Sequence, residues 1–139
     1  MIILDTNILS ELMRPIPNMR VVHWLDEEDQ DSINITAITV AEILYGIARL
    51  PEGRRKNSYS TVVFEMFDED FAGRILPFDE EAATYYADLV AENERVGRII
   101  HSADAQIAAI CQQKKARLAT RNVKDFEHIG IDIIDPWHS

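Results

Sequence analysis

The sequence predicts an α/β fold with a mostly parallel central sheet of about five strands, because short apolar runs alternate with longer segments of helical period. Strands that are separated by helices need crossover connections, which make neighbouring strands parallel and place helices on both faces of the sheet. The length of 139 residues, with 47% hydrophobic and 27% charged residues, is typical of a globular protein. We therefore expect a single domain that spans residues 1–139.

Five apolar runs are predicted to be the strands. The first run, at the N-terminus, is rich in Ile and too short for a helix, and the second alternates around Ile33 and Ile35. The predicted strands are residues 1–5, 32–36, 74–77, 117–120 and 131–134.

Six segments have the periodicity or the boundary signals of helices. Pro15 ends the first, the Pro-Glu-Gly of residues 51–53 ends the third, and Asp79 is predicted to cap the fifth. The predicted helices are residues 7–13, 19–28, 39–50, 54–70, 79–94 and 102–115. Aromatic side chains at their apolar positions are expected in the core, namely Tyr45, Phe64, Tyr85 and Tyr86.

Acidic and amide side chains fall at the carboxyl ends of predicted strands or at the starts of predicted helices. Asp5 ends the first strand, Glu42 lies near the start of the helix after the second, and Asp104 lies in the first turn of the sixth helix. Asn122 and Asp125 follow the fourth strand. Since sites in open parallel sheets form at the carboxyl ends of the strands, we expect these side chains to converge.

Carboxylates that converge in one pocket repel each other and raise one another's pKa values. A hard divalent cation relieves this repulsion, and proteins hold Mg²⁺ with one or two carboxylates together with water and substrate phosphate. Such an ion lowers the pKa of bound water and stabilises charge on a phosphodiester. The layout therefore predicts a metal-dependent phosphodiesterase.

Each acid also has a purely structural interpretation. Asp5 can cap the first helix, and Thr39 with Glu42 fits a capping box, which is the favoured interpretation of Glu42 taken alone. Asp104 can complement the dipole of its helix, and Asp125 can be an ordinary exposed acid. The functional hypothesis therefore depends on the position that these acids share.

Charge and cysteine content restrict the classes of function. The 14 Lys and Arg against 24 Asp and Glu give a net charge of −10, which argues against coating of nucleic acid by a broad basic surface. Nine of the 14 positive charges nevertheless fall within residues 49–56 and 114–124, and Arg121 lies at the predicted edge of the sheet.

The single cysteine, Cys111, excludes an internal disulfide and suits a reducing cytoplasm. No apolar stretch approaches the ~18 residues of a membrane helix, and the N-terminus lacks the basic region of a signal peptide.

Six motifs resemble those of the PIN-domain family, in particular the VapC-type toxins of type II toxin–antitoxin systems and their FitB-like subgroup. The motifs are IILDTNILSE (residues 2–11), TVAEI (39–43), RILPFD (74–79), SADAQIAA (102–109), ATRN (119–122) and DPWH (135–138). Each motif alone is weak, and the specificity of the resemblance comes from their order over nearly the whole chain.

The resemblance implies a PIN-like α/β/α sandwich and an endoribonuclease activity that depends on Mg²⁺ or Mn²⁺, with tRNA or rRNA as the expected substrate. It implies that Asp5 and Asp104 bind the metal directly and that Glu42 completes the site, as a ligand or through water. Thr6 and Asn7 are expected to orient Asp5 through hydrogen bonds.

The motif after the fourth strand departs from part of the family. Some relatives have a fourth acid directly after Thr-Arg, where this chain has Asn122, whereas others have the Asn form with an acid three residues later, as Asp125 is here. The fourth acidic role is therefore open between Asn122 and Asp125, and a second metal is less expected. Thr120, Arg121 and Asn122 are expected to support the metal ligands or to contact the substrate.

The resemblance also implies inhibition by a cognate antitoxin of the VapB or FitA type, with promoter DNA contacted only through that antitoxin. Residues 7–28 and 39–70 carry more apolar side chains than one sheet face needs, which predicts a groove for a partner helix or the seam of a homodimer. The net charge of −10 suits a basic antitoxin, and the resemblance supports a larger assembly with it.

Two other functions compete with the toxin hypothesis. A catalytically weak PIN subunit that acts as a binding module in a DNA-binding complex would fit the amide of Asn122 and the acidic surface. A receiver-like phosphoacceptor is discounted, because such domains need paired acids after the first strand and a Lys after the last. This chain instead has Asp-Thr-Asn at residues 5–7 and Asp-Pro-Trp at residues 135–137.

Overall fold

The computed structural model describes residues 1–138, in which five parallel strands form one sheet. The strands are β1 (Ile2–Leu4), β2 (Ile33–Thr36), β3 (Ile75–Leu76), β4 (Arg117–Ala119) and β5 (Ile133–Ile134). Their order across the sheet is β3-β2-β1-β4-β5. The predicted fold class and the predicted strands are confirmed.

Helices connect the strands and cover both faces of the sheet. They are α1 (Thr6–Leu12), α2 (Met19–Glu27), α3 (Ala37–Ala48), α4 (Arg54–Glu65), α5 (Glu80–Arg95), α6 (Ser102–Lys114) and α7 (Val123–Phe126). A 3₁₀ turn at Gln30–Ser32 precedes β2, and α4 continues into a π-helical turn at Met66–Asp70. The short helix α7 was not predicted, because its four residues are too few to reveal a helical period. Within residues 1–138, none of the helices is long and apolar enough to cross a membrane.

The start of α3 corrects the predicted capping box of Thr39 and Glu42. Strand β2 runs into α3 without a loop, so that its last residue, Thr36, is the N-cap, and its hydroxyl oxygen accepts from the backbone N–H of Thr39 at 3.2 Å. Glu42 consequently lies one turn further along the helix, where its carboxylate is free for a tertiary contact. The predicted cap at Asp79 is confirmed, since its carboxylate accepts from the backbone N–H of Ala82.

The two faces of the sheet are packed by side chains of different size. Ile2 and Leu4 of β1 join the hydrophobic cluster under α1 to α4, whereas Ile3 points to the cluster under α5 and α6. Large side chains such as Phe67 and Phe71 fill the first cluster. The second contains the buried alanines Ala82, Ala105, Ala108, Ala109 and Ala116. Small side chains let α6 pack close to the sheet, which fixes the helix that carries Asp104.

The strand order reverses between β1 and β4. From β1 the chain proceeds through β2 to β3 on one side, and it returns to the other side for β4 and β5. Open parallel sheets have a crevice at the carboxyl ends of the two strands where this reversal occurs. Leu4 pairs with Ala119 at that end, so Asp5 and Thr120 are the first residues beyond the two strands.

Candidate active site

The Asp5 carboxylate lies in this crevice, buried and held by three hydrogen bonds. Asp5 is the N-cap of α1, and its Oδ1 accepts from the backbone N–H of Thr6 at 2.8 Å. Its Oδ2 accepts from the hydroxyl of Thr120 at 2.8 Å and from the side-chain amide of Asn7 at 3.2 Å. Burial raises the pKa of Asp5, and these hydrogen bonds oppose the rise. Asp5 is therefore both a helix cap and an oriented carboxylate.

Thr120 and Asn7 connect Asp5 to the segment after β4. The Thr120 side chain is fully buried, and its hydroxyl oxygen accepts from the backbone N–H of Asn122 at 3.0 Å and from the Asn7 amide at 3.3 Å. Asn7 Oδ1 in turn accepts from the backbone N–H of Arg121 at 3.2 Å. The side chains that orient Asp5 thus also fix the backbone of residues 120–122.

Glu42 is brought to the same place through Thr6. The Thr6 hydroxyl donates to Glu42 Oε1 at 2.6 Å and lies 3.0 Å from the hydroxyl of Thr39. Since the single hydroxyl proton of Thr6 goes to Glu42, Thr39 is the donor in the second bond. Thr39 is fully buried, whereas Glu42 is exposed and raises the pKa of Asp5. The chain of hydroxyls therefore anchors an exposed carboxylate beside a buried one.

Asp104, in the first turn of α6, is half-buried and makes no side-chain hydrogen bond among residues 1–138. Burial raises its pKa to about 6, with further rises from the charges of Asp5, Asp125 and Glu42, while His101 acts in the opposite direction. Asp104 is thus close enough to the other three acids to respond to their charges.

The segment after β4 separates the two candidates for the fourth acidic role. Asn122 precedes α7, is exposed, and its side chain makes no capping hydrogen bond. Asp125, within α7, is also exposed and lines a pocket together with Asp104. Because Asp125 raises the pKa of Asp104 and the Asn122 amide has no charge, Asp125 is the residue that adds to the negative field.

The donor set consists of carboxylate and hydroxyl oxygens, which are the ligands of hard divalent cations. Burial, and secondarily the charges of neighbouring acids, raise the pKa values of Asp5 and Asp104, and a cation bound beside them would favour the charged carboxylates. Within residues 1–138, no three Asp, Glu, His or Cys side chains are grouped so as to hold a metal ion by themselves. A hard divalent cation that is held by few carboxylates, with water in its remaining positions, fits this donor set.

Arg121 supplies a fixed cation at the edge of the crevice. Its guanidinium lies 4.9 Å from the ring centroid of Trp137, which is the distance of a cation–π contact. Trp137 is buried in the cluster under α1 to α4, and its backbone carbonyl accepts from the guanidinium of Arg20 at 3.4 Å. The C-terminal DPWH motif thus has a local role, which is to support Arg121.

Sequence reasoning missed the contributions of Thr39 and Trp137 to this arrangement. Thr39 was interpreted as part of a cap, and Trp137 only as part of a family motif. The Thr6–Thr39 contact joins residues that are 33 positions apart, so no local pattern could have revealed it.

Comparison with known proteins agrees with this architecture. The family model described as "PIN domain" matches residues 2–131. The chain is 40% identical to VapC ribonuclease Y4jK of Sinorhizobium fredii over 137 residues, which cover 99% of this chain and 98% of the relative. It is 42% identical to Toxin FitB of Neisseria gonorrhoeae over 142 residues, which cover 99% of each chain.

A solved structure is equally similar. The structure of FitAB bound to an IR36 DNA fragment contains a chain that matches this fold with a TM-score of 0.94 and 42% identity, over 100% of this chain and 97% of that chain. PIN-domain ribonucleases generally depend on a divalent metal ion. The extent of the family match and the identity over the full length establish that this chain belongs to the PIN-domain family, in its VapC-type branch.

Proposed function

We propose that this chain is the toxin of a type II toxin–antitoxin pair and an endoribonuclease that hydrolyses RNA phosphodiester bonds with a divalent metal ion. The observation that carries the proposal is the buried, hydrogen-bonded carboxylate of Asp5 at the point where the strand order reverses, within the electrostatic influence of Glu42. The names of the VapC and FitB relatives support the activity and the toxin role.

In this proposal Asp5 and Asp104 bind Mg²⁺ or Mn²⁺ directly, and Glu42 completes the site through water. Proteins commonly bind Mg²⁺ through one or two carboxylates, with water and substrate phosphate in the remaining positions. When bound, the ion activates water and stabilises charge on the phosphate. Glu42 is assigned to the water-mediated position because its carboxylate already accepts from Thr6 and is exposed.

The surrounding residues have supporting roles. Thr120 and Asn7 hold the Asp5 carboxylate in one orientation, and Thr6 does the same for Glu42. Arg121, stacked on Trp137, binds a phosphate of the RNA backbone. We assign the fourth acidic role to Asp125, because its charge acts on Asp104, and assign to Asn122 a polar contact with substrate.

Cleavage of RNA by the purified chain, free of antitoxin, tests the activity. Folded tRNA and rRNA fragments should be cut with Mg²⁺ or Mn²⁺ and remain intact with EDTA. Asp5→Asn and Asp104→Asn should each lower the rate by more than about 100-fold, since each removes a charged ligand rather than an outer partner. Asp88→Asn, which changes an exposed acid of α5, is the matched control and should retain full activity. Full cleavage by either site variant would refute the assignment.

An apolar groove supplies a surface for the antitoxin. It has a volume of about 780 Å³, lies between α1, α2 and the α4 segment, and includes Leu12, Leu25 and Val62. Acidic side chains surround it, namely Asp26, Glu28, Glu65, Glu69 and Asp70. An amphipathic helix with basic flanks matches both the apolar floor and this charge. We infer that the antitoxin inserts such a helix here.

Two exposed apolar residues of α4 provide a matched test of the groove. Val62 lines it and is 56% exposed, whereas Phe64 is 52% exposed and is not among its lining residues. Val62→Glu should weaken binding of the protein encoded immediately upstream by at least about tenfold, because the new charge is desolvated in the complex. Phe64→Glu should leave that affinity unchanged. Equal effects of both changes in a calorimetric titration would contradict the assignment.

A binding role within a DNA-binding complex is the second candidate function. It is favoured by the uncharged Asn122 and by the FitAB complex on DNA, and the net charge of −10 restricts promoter contact to the antitoxin. If this were the only function, Asp5→Asn would leave operator binding by the complex intact, and no RNA would be cut by the wild type.

We further infer one domain over residues 1–139, a homodimer that forms a larger assembly with antitoxin, and a cytoplasmic location that suits the lone Cys111.

A further inference from the structure

A pocket of about 390 Å³ is lined by Asp104. The end of α5, the loop of residues 96–101, the start of α6 and helix α7 form its walls. Asp104 and Asp125 belong to the wall that it shares with the candidate active site. A molecule in this pocket would therefore lie directly next to the proposed metal ligands.

Two cations of the pocket have no side-chain partner within residues 1–138. Arg98 and Lys124 are both exposed, and neither side chain makes an ion pair or a hydrogen bond among residues 1–138. Arg95, one turn before Arg98, is by contrast paired with Glu92. Because neither side chain is paired, Arg98 and Lys124 can offer positive charge to an anionic ligand beside Asp104 and Asp125.

Three isoleucines also line the pocket. Ile99, Ile100 and Ile129 line it, and Ile99 is 95% exposed, so it contributes almost nothing to the core. A pocket that combines apolar side chains with a few convergent charges is typical of a site for an organic ligand rather than for a bare anion. A nucleotide has both required parts, a flat apolar base and an anionic phosphate.

We propose that this pocket binds one nucleotide of the RNA next to the scissile phosphate, with Arg98 and Lys124 on its phosphate and the isoleucines against its base. The inference rests on the proposed ribonuclease function, whose metal site adjoins the pocket. The pocket then determines where the RNA strand lies relative to Asp104, and Ile99 favours bases that pack well on an aliphatic side chain.

RNA binding without metal tests the pocket independently of catalysis. The probe is a fluorescein-labelled single-stranded RNA of 12 nucleotides in EDTA, and its anisotropy gives the affinity over a range of salt concentrations. Each phosphate contact contributes about 0.7 to the slope of log affinity against log salt for single strands. The double variant Arg98→Gln/Lys124→Gln should therefore lower the slope by about 1.4 and weaken binding by about tenfold or more at low salt. Ile99→Ser should weaken binding with the salt slope unchanged, because it removes an apolar contact.

Matched controls separate a local effect from a change in net charge. Arg95→Gln alters a paired cation at the end of α5, one turn before Arg98. Lys115→Gln alters a lysine at the end of α6, about 16 Å from Asp104 along that helix. The control pair should keep the wild-type slope and affinity. If the pocket variant matches the control pair while wild-type protein still cuts RNA with Mg²⁺, the subsite is refuted and the proposed function stands. If wild-type protein neither binds nor cuts RNA, the proposed function fails and the subsite fails with it.

Discussion

The two sides of the crevice hold their carboxylates in opposite ways. On the sheet side, Asp5 is 5% exposed and three donors converge on its oxygens. On the helix side, Asp104 is half-buried, Asp125 is exposed, and charge repulsion is the main interaction between them. The fold alone therefore orients the Asp5 carboxylate. The carboxylates of Asp104 and Asp125 are left to be oriented by a cation that neutralises them.

This difference indicates how the site would assemble. A rigid ligand fixes the position of an incoming ion, and a second ligand that lacks protein partners can adjust to it at little cost. The raised pKa of Asp104, about 6, means that a cation has to displace a proton only below that pH. Metal affinity should accordingly rise as the pH increases through about 6 and become constant above it.

Lengthening each acid by one methylene should produce the largest contrast between the two sides. Asp5→Glu forces the longer side chain into a filled, hydrogen-bonded position, so we expect the cleavage rate to fall by more than about 100-fold and stability to fall by about 1–3 kcal/mol. Asp104→Glu should keep the rate within about tenfold of wild type, because no protein donor constrains that carboxylate. Cleavage assays and urea unfolding measure the two effects. Equal losses in both variants would show that the two sides are equally constrained.

Removal of the buried Thr120 hydroxyl should leave the Asp5 carboxylate less well oriented. Thr120→Val keeps the shape of the side chain but deprives Asp5 of a donor and the Asn122 N–H of its acceptor. We expect Mg²⁺ affinity to fall by about 10–100-fold and stability to fall by about 1–3 kcal/mol. Magnesium titrations of cleavage and urea unfolding provide the measurements. Thr120→Ser retains the hydroxyl and should keep Mg²⁺ affinity and stability near the wild-type values. If Thr120→Ser loses as much as Thr120→Val, the effect comes from packing and not from the hydrogen bond.

Asp104, on the helix side, should contribute to the pH dependence of stability. Because the folded-state pKa of Asp104 is raised from 3.8 to about 6, the folded state binds more protons than the unfolded state between these values. The contribution of Asp104 to the free energy of unfolding of the metal-free protein should therefore fall as pH rises through this window, and the loss should be complete above it. The difference between wild type and Asp104→Asn in urea unfolding isolates this contribution. A difference that grows in favour of wild type with rising pH would contradict the sign.

Neutralising Asp125 should have the smallest effect. Asp125→Asn removes one of the charges that raise the pKa of Asp104, so the pH window just described should move down by less than about one unit. We expect the cleavage rate to fall by about tenfold or less. Asp132→Asn, an exposed acid before β5, is the control for net charge and should leave the window in place. If the pH window is unchanged in Asp125→Asn, the charge of Asp125 does not act on Asp104 and Asp125 is not part of the site.

The sequence was most informative about elements whose pattern is local. The alternation around Ile33 and the cap at Asp79 depend on neighbouring residues only, and both were predicted correctly. The predicted topology also placed Asp5 and Asp104 at one edge of the sheet, and the effect of the Asp5 charge on the pKa of Asp104 agrees with their proximity. Metal binding by these acids remains a prediction.

The features that the sequence did not predict depend on contacts between distant segments. The link from Thr6 to Thr39 and the stacking of Arg121 on Trp137 join separate parts of the chain. Tyr45, Phe64 and Tyr85 were expected in the core and are instead 64%, 52% and 36% exposed, so that expectation was wrong for these three. A helical period identifies an apolar face, but it does not say whether the sheet or another molecule covers it.

The bond between Thr120 and Asp5 joins residues that are 115 positions apart in the chain. During synthesis from the N-terminus, Asp5 emerges long before the strand that completes its surroundings, and β4 can pair with β1 only when most of the protein has left the ribosome. A growing polypeptide therefore has no functional centre for most of the time that it is being translated. For an enzyme that cuts RNA, cleavage would therefore begin only after most of the chain has been synthesised.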